Sequence, residues 1–121
     1  MKKVLIIDDE EKVRTLIEAT LSIGEIEILQ ASSGEEGLKK ARDVIPDIIL
    51  LDVMMPGIDG FEVCRLLKQD LATKDIHIIM LTARGQRVDK ERGLSAGANG
   101  YFVKPFSPIN LMNMIDEILN R

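Results

Sequence analysis

At 121 residues, 45% of them apolar, the chain is long enough to close one hydrophobic core without disulfides or a structural metal. Three Phe, one Tyr and no Trp leave aliphatic side chains to fill that core, and the single Cys64 excludes an internal disulfide, which suits a reducing cytoplasm. A net charge of −4 without a basic stripe argues against direct nucleic acid binding by the domain, and no apolar run reaches the roughly 18 residues of a membrane span.

Val4-Leu5-Ile6-Ile7 is predicted as a short buried strand ending in Asp8-Asp9-Glu10. Val13, Leu16, Ile17, Thr20 and Leu21 then recur at helical spacing, with Gly24 as the stop. Ile26, Ile28 and Ala31 alternate as in an edge or half-buried strand. Ser33-Gly34-Glu35-Glu36 reads as a capping box, opening a helix through Leu38, Ala41 and Val44 that Pro46 ends. Between Asp47 and Asp52, Ile48-Ile49-Leu50-Leu51 has the composition of a strand buried on both faces, and it stops in an acid. Met55-Pro56-Gly57-Ile58 puts Pro and Gly at the central positions of a type II turn. Asp59, with Glu62 three residues on, starts a helix with Phe61, Cys64, Leu67 and Leu71 on one face.

Ile76-His77-Ile78-Ile79-Met80-Leu81 is the fourth apolar strand, running into Thr82-Ala83-Arg84-Gly85. The next helix, from about Gln86 to Ala96, is weakly patterned, with only Val88, Leu94 and Ala96 apolar, and Gly97 ends it. Tyr101-Phe102-Val103 is a short fifth strand ending in Lys104-Pro105. Ser107 caps and Pro108 opens a last helix that carries Ile109, Met112, Ile115 and Leu119. Strand patterns alternating with helix patterns throughout give an α/β fold, a parallel sheet with helices on both faces.

In such a sheet the carboxyl ends of the strands share one edge, where open α/β sheets bind their ligands. That edge collects Asp8 and Asp9 from the first strand, Asp52 from the third, Thr82 from the fourth and Lys104 from the fifth. Carboxylates about 4 Å apart repel by about 4 kcal/mol at an effective dielectric of about 20, so a cation is expected to compensate. A hard divalent ion with oxygen ligands, Mg²⁺ above all, suits three acids. A metal, an ammonium and a hydroxyl around one carboxylate suit a phosphoryl group, with Asp52 as the nucleophile that forms an aspartyl-phosphate. Each residue alone has a plainer use: Asp9 and Asp59 as helix caps, Thr82 as a strand-end residue, Lys104 as a solvated charge. Their convergence on one edge points to chemistry. Cys64 reads as core, His77 as structural, and the thioether of Met54 does not suit a hard ion.

Over essentially its whole length the chain resembles the receiver domains of bacterial two-component response regulators. The motifs carrying the likeness are Asp8-Asp9, Asp52 within Leu51-Asp52-Val53-Met54-Met55-Pro56-Gly57, Thr82-Ala83, and Tyr101 ahead of Lys104-Pro105-Phe106. The resemblance implies a flavodoxin-like (βα)5 fold with strand order 2-1-3-4-5, as one receiver domain over residues 1–121. It implies that Asp52 accepts phosphate from a histidine kinase or phosphotransfer protein in a Mg²⁺-dependent reaction. By the same likeness Asp9, Asp52 and the backbone carbonyl of Met54 bind Mg²⁺, with Asp8 reaching it through water. Thr82 and Lys104 hold the phosphoryl oxygens, and Tyr101 changes rotamer as Thr82 moves toward them, a switch that controls a downstream protein target. A cis bond between Lys104 and Pro105 is implied as well. Met54 and Arg84 fall where the family's hydrolytic water passes, so self-dephosphorylation is expected to be slow. The domain is then a phospho-acceptor that assists its own chemistry and not an enzyme with a separate substrate.

Three other functions would use similar parts or the same fold. A metal-dependent aspartyl-phosphate phosphatase of the haloacid-dehalogenase type carries its nucleophile in an Asp-x-Asp pair after the first strand, whereas Asp8 and Asp9 are adjacent here. A flavodoxin would place a phosphate loop where Asp8-Asp9-Glu10 would repel phosphate, and neither a dinucleotide fingerprint nor a P-loop is present. A phosphorylation-independent adaptor of the same fold would be expected to lack some of the acids or the Lys, and all are present. Met1 directly before the first strand suggests a stand-alone cytoplasmic receiver, with a segment of a larger regulator as the alternative. Asn99-Gly100, Asn110 and Met114 stand where DNA-binding members carry an acid–base ladder, so a monomer or a weak phosphorylation-dependent dimer is expected.

Overall fold

A computed structural model describes residues 1–22, 24–83 and 87–120, the side chains of 83 and 87–90 excepted. The chain alternates β1 (Lys2–Ile7), α1 (Glu11–Leu21), β2 (Ile26–Ala31), α2 (Gly34–Val44), β3 (Ile48–Asp52), α3 (Gly60–Gln69), β4 (His77–Ala83), α4 (Arg87–Ser95), β5 (Gly100–Lys104) and α5 (Pro108–Leu119). All strand pairings are parallel, in the order β2-β1-β3-β4-β5. The flavodoxin-like arrangement is therefore the one observed.

Side chains alternate across a strand, and the burial follows that period on both faces of the sheet. Leu5, Ile7, Ile49 and Leu51 point into a core with Leu38, Ala41, Phe61, Cys64 and Leu67 of α2 and α3. Val4, Ile6, Ile48 and Leu50 point the other way, against Ile17 and Leu21 of α1 and Leu111 and Ile115 of α5. Every residue of β3 is buried, which is why that strand reads as a continuous apolar run. Each fully buried aliphatic side chain contributes roughly 1.5–3 kcal/mol, so β3 anchors the sheet.

Local signals place most boundaries. Gly57, at φ 77°, has the positive φ that a type II turn needs at its third position. Asp59 Oδ1 accepts from the Glu62 amide at 2.9 Å and starts α3, and Ser107 Oγ accepts from the Asn110 amide at 3.3 Å and starts α5. Gly97, at φ 98°, follows α4 as expected. At α2 the Ser33 hydroxyl accepts from the Glu36 amide at 3.1 Å, but Glu36 accepts from the Ser32 amide and not from that of Ser33, so the reciprocal half of the box is displaced by one residue. The Lys104–Pro105 peptide bond is cis.

Three packing expectations fail. Asp70 ends α3, so Leu71 lies beyond the helix and is 82% exposed; Thr73 is buried instead, its hydroxyl donating to the Leu67 carbonyl at 2.6 Å. In α5 the buried positions are Leu111 and Ile115, and Ile109 faces solvent. Ile115 of the expected stripe is buried and Leu119 packs against the same core, but in the first turns Leu111 and not Ile109 reaches it. Helix α1 ends at Leu21, before Gly24, and Leu16 is exposed.

Candidate functional site

The strand order reverses at β1, which lies between β2 and β3. Ligands of open α/β sheets bind at the carboxyl ends next to such a reversal. Asp8 follows β1 there, and Asp52 is the last residue of β3. Asp52 pairs in register with Leu81, and Lys104 with Ala83, so Thr82 and Lys104 reach the same edge. Thr82 is buried at that edge, while Tyr101 sits farther back on β5 and is exposed.

Asp8, Asp9 and Asp52 each present a carboxylate oxygen to a cluster in which these atoms lie within 4.8 Å of one another. Asp8 is fully buried and held from two sides. The Glu10 amide donates to its Oδ1 at 2.9 Å, and Lys104 Nζ donates to its Oδ2 at 2.8 Å. Lys104 Nζ also lies 3.3 Å from Asp52 Oδ1, and the Met54 amide donates to that same oxygen at 3.3 Å. Asp9 is exposed, and among the described residues its carboxylate accepts no hydrogen bond. An all-oxygen donor set with one free carboxylate fits a hard divalent ion better than a soft one.

Burial and the neighbouring charge of Asp8 push Asp52 from an ordinary value of 3.8 up to about 7, against the opposing pull of Lys104 and the Met54 amide. Burial alone would lower Lys104, but its hydrogen bond to Asp8 and the charges of Asp52 and Asp8 raise it above its ordinary value. The site thus holds a fixed ammonium beside a carboxylate that ionises near neutrality.

The backbone around Asp52 depends on a glycine that the motif reading did not single out for a role. A Cβ at Gly60 would stand 2.2 Å from the Asp52 carbonyl oxygen and 2.9 Å from Val53 Cα. The start of α3 therefore presses directly on the end of β3. The turn between them is also tied to α2, where Gly34 lies against Ile58 and Glu35 Oε1 accepts from the Ile58 amide at 3.5 Å.

Asp52 lines a cavity of about 460 Å³ whose other walls include Val13, Leu16, Met54, Pro105 and Phe106. Met54 is 69% exposed at its rim. Arg84, the other position expected beside the hydrolytic water, lies outside the described residues. Asn99, one of the positions where acids were expected of DNA-binding relatives, serves as an acceptor. Its Oδ1 accepts from the Ile78 amide at 2.8 Å and from Lys68 Nζ at 2.9 Å, fastening the turn before β5 to β4 and α3.

The family model for the response regulator receiver domain matches residues 4–116. Among curated proteins the chain is 45% identical over 120 residues to the alkaline phosphatase synthesis transcriptional regulatory protein PhoP of Bacillus subtilis, covering 99% of this chain and 49% of that one. It is 43% identical over 120 residues to the phosphate regulon transcriptional regulatory protein PhoB of Pseudomonas aeruginosa, covering 99% of this chain and 52% of that one. The chain spans about half the length of these curated relatives. Among solved structures it is similar to a putative response regulator of Chloroflexus aurantiacus, with a TM-score of 0.93 and 40% identity over 99% of this chain and 98% of that one. A chemotaxis response regulator of Vibrio cholerae, CheY4, gives 0.90 and 35% identity over 98% of both chains.

Proposed function

The chain belongs to the family of response regulator receiver domains, and on that premise we propose that Asp52 accepts the phosphoryl group, with Thr82 and Lys104 as the groups that receive its oxygens. The observation that carries this reading is the ammonium of Lys104, 3.3 Å from Asp52 Oδ1 at the carboxyl end of the central strand. An ionised Asp52 oxygen attacks phosphorus, the bond from phosphorus to the donor breaks, and the leaving group takes up a proton. Lys104 is already placed to meet negative charge on the transferred group, and its bond to Asp8 holds its position while that charge develops.

Asp9, Asp52 and the Met54 backbone carbonyl would hold Mg²⁺, with Asp8 reaching it through water. When bound, the ion would offset the charge of the acids and of the incoming phosphoryl group. Membership of the receiver family supports a histidine kinase or phosphotransfer protein as the phosphoryl donor. Downstream, the phosphorylated domain controls a protein target through a movement of Thr82 followed by Tyr101, and it acts in the cytoplasm beside the kinase's catalytic part. No described helix is long and apolar enough to cross a membrane. The domain is a signalling protein whose only reaction is on itself, gain of the phosphoryl group and its slow loss.

The test is incubation with acetyl phosphate and Mg²⁺, read by intact mass. Wild type should gain one phosphoryl group, and the gain should vanish with EDTA or with Asp52→Asn. An undiminished gain in Asp52→Asn would move the acceptor elsewhere.

A further inference from the structure

Arg14 lies outside the carboxylate cluster, yet it grips the backbone from which the cluster projects. Its Nη1 donates to the backbone carbonyl of Asp8 at 2.7 Å, and its Nε donates to Gln30 Oε1 at 3.1 Å. Gln30 is itself anchored on β2, with its Nε2 donating to Glu18 and its carbonyl accepting from Lys40. One planar guanidinium therefore ties the loop after β1 to the neighbouring strand through two donors in fixed geometry.

The Asp8 carbonyl belongs to the rigid peptide plane that joins Asp8 to Asp9. Asp8 does not need this grip to place its side chain, because Lys104 and the Glu10 amide already hold that carboxylate. Asp9 is the dependent residue. Its carboxylate is exposed and accepts no hydrogen bond among the described residues, so the protein aims it only through the backbone on either side, the Asp8–Asp9 peptide that Arg14 holds and the Glu10 amide that Asp8 holds. We propose that Arg14, braced by Gln30, is a positioning residue that orients the Asp8–Asp9 peptide so that the Asp9 carboxylate faces a divalent cation. This inference rests on the proposed role of Asp9 as a metal ligand.

Charge and geometry predict opposite signs here, and that makes the inference decidable. A guanidinium near the cluster repels a second cation, so removing it should tighten Mg²⁺ binding if Arg14 acts only through its charge. Removal should weaken binding if Arg14 acts by holding the peptide, since loss of a group that orients a ligand commonly costs about tenfold in metal affinity.

Mg²⁺ alone is titrated calorimetrically into wild type, Arg14→Met, Arg14→Lys, Gln30→Met and Asp9→Ala, and urea unfolding of each metal-free protein is measured alongside. Arg14→Met should raise the Mg²⁺ Kd about tenfold. Arg14→Lys and Gln30→Met keep the positive charge of Arg14 or its substitute but lose one arm of the brace, and they should raise Kd severalfold. In each case the weakening should appear in protein that is fully folded without metal, which a merely stabilising role would not produce. An unchanged or tighter Kd in Arg14→Met overturns the proposal; should that variant not fold, an unchanged Kd in both Arg14→Lys and Gln30→Met does so. If wild type binds no Mg²⁺, or Asp9→Ala binds it as tightly as wild type, the metal-site reading itself has failed, and the role of Arg14 with it.

Discussion

Replacing Asp52 with Asn should stabilise the metal-free protein, and the gain should depend on pH in a defined window. Asp52 is only 4% exposed and sits beside Asp8, and together burial and that charge raise it from 3.8 to about 7. A folded-state pKa above the unfolded value means that the folded protein binds the extra proton between those two values. Stability therefore falls as pH rises through that range, and the penalty is absent below pH 4 or so and complete above pH 7 or so. At about 1.4 kcal/mol for each pKa unit, the fully developed penalty is about 4 kcal/mol. Asn keeps the shape and an acceptor for the Met54 amide but cannot ionise. The assay is urea unfolding followed by circular dichroism in EDTA, at steps from about pH 4.5 to 8, with the variant compared with wild type at each step. Acids elsewhere titrate in both proteins and largely cancel in the difference. Asp52→Asn should be more stable than wild type by about 1 kcal/mol at the acid end and by about 4 kcal/mol at the alkaline end. A difference that stays flat with pH, or a variant less stable than wild type at pH 8, would refute the description of Asp52 as a carboxylate strained by its surroundings.

The other consequences are local. Gly60→Ala would drive a Cβ to 2.2 Å from the Asp52 carbonyl, so it should cost about 2–3 kcal/mol in urea unfolding and slow phosphorylation as well; a cost under about 0.5 kcal/mol would contradict that contact. Met54, exposed at the rim of the cavity, cannot orient water through its thioether, so Met54→Asn should speed loss of phosphate from the phosphorylated protein; an unchanged half-life would show that Met54 does not shield the site. Ile45, the residue after α2, is β-branched and holds φ 45°, a conformation that Asn tolerates better. Ile45→Asn should therefore stabilise the fold by about 1 kcal/mol, with an unchanged slope in urea; destabilisation would mean that packing of Ile45 outweighs its backbone strain.

Much of the architecture was legible because the sheet is buried on both faces. Ile48 to Leu51 could be recognised as a central strand without any partner in view, and the alternation of strand and helix patterns then put Asp8, Asp52, Thr82 and Lys104 on one edge. Caps at Asp59, Ser33 and Ser107 were legible because each acts within a single turn of chain. Two of the packing failures turn on which neighbour a helix meets, and the third on where α3 ends. Leu16, Leu71 and Ile109 fit a periodic stripe but face solvent, and Leu111 was passed over although it is fully buried. Arg14 and Gly60 escaped as well. A bond from α1 to the Asp8 carbonyl, or a glycine pressed on the Asp52 backbone, leaves no periodic trace in the sequence. Glycine at the first position of a capped helix that follows a functional turn was the one available signal for Gly60.

Whether this receiver takes its phosphoryl group on Asp52 is decided by locating the modified residue. The protein is treated with acetyl phosphate and Mg²⁺ and then with borohydride, which reduces an aspartyl-phosphate to homoserine. Peptide mass spectrometry then reads the position. Homoserine is expected at position 52 and nowhere else, and none when Mg²⁺ is withheld. Homoserine at position 8 or 9 with Asp52 intact would contradict it.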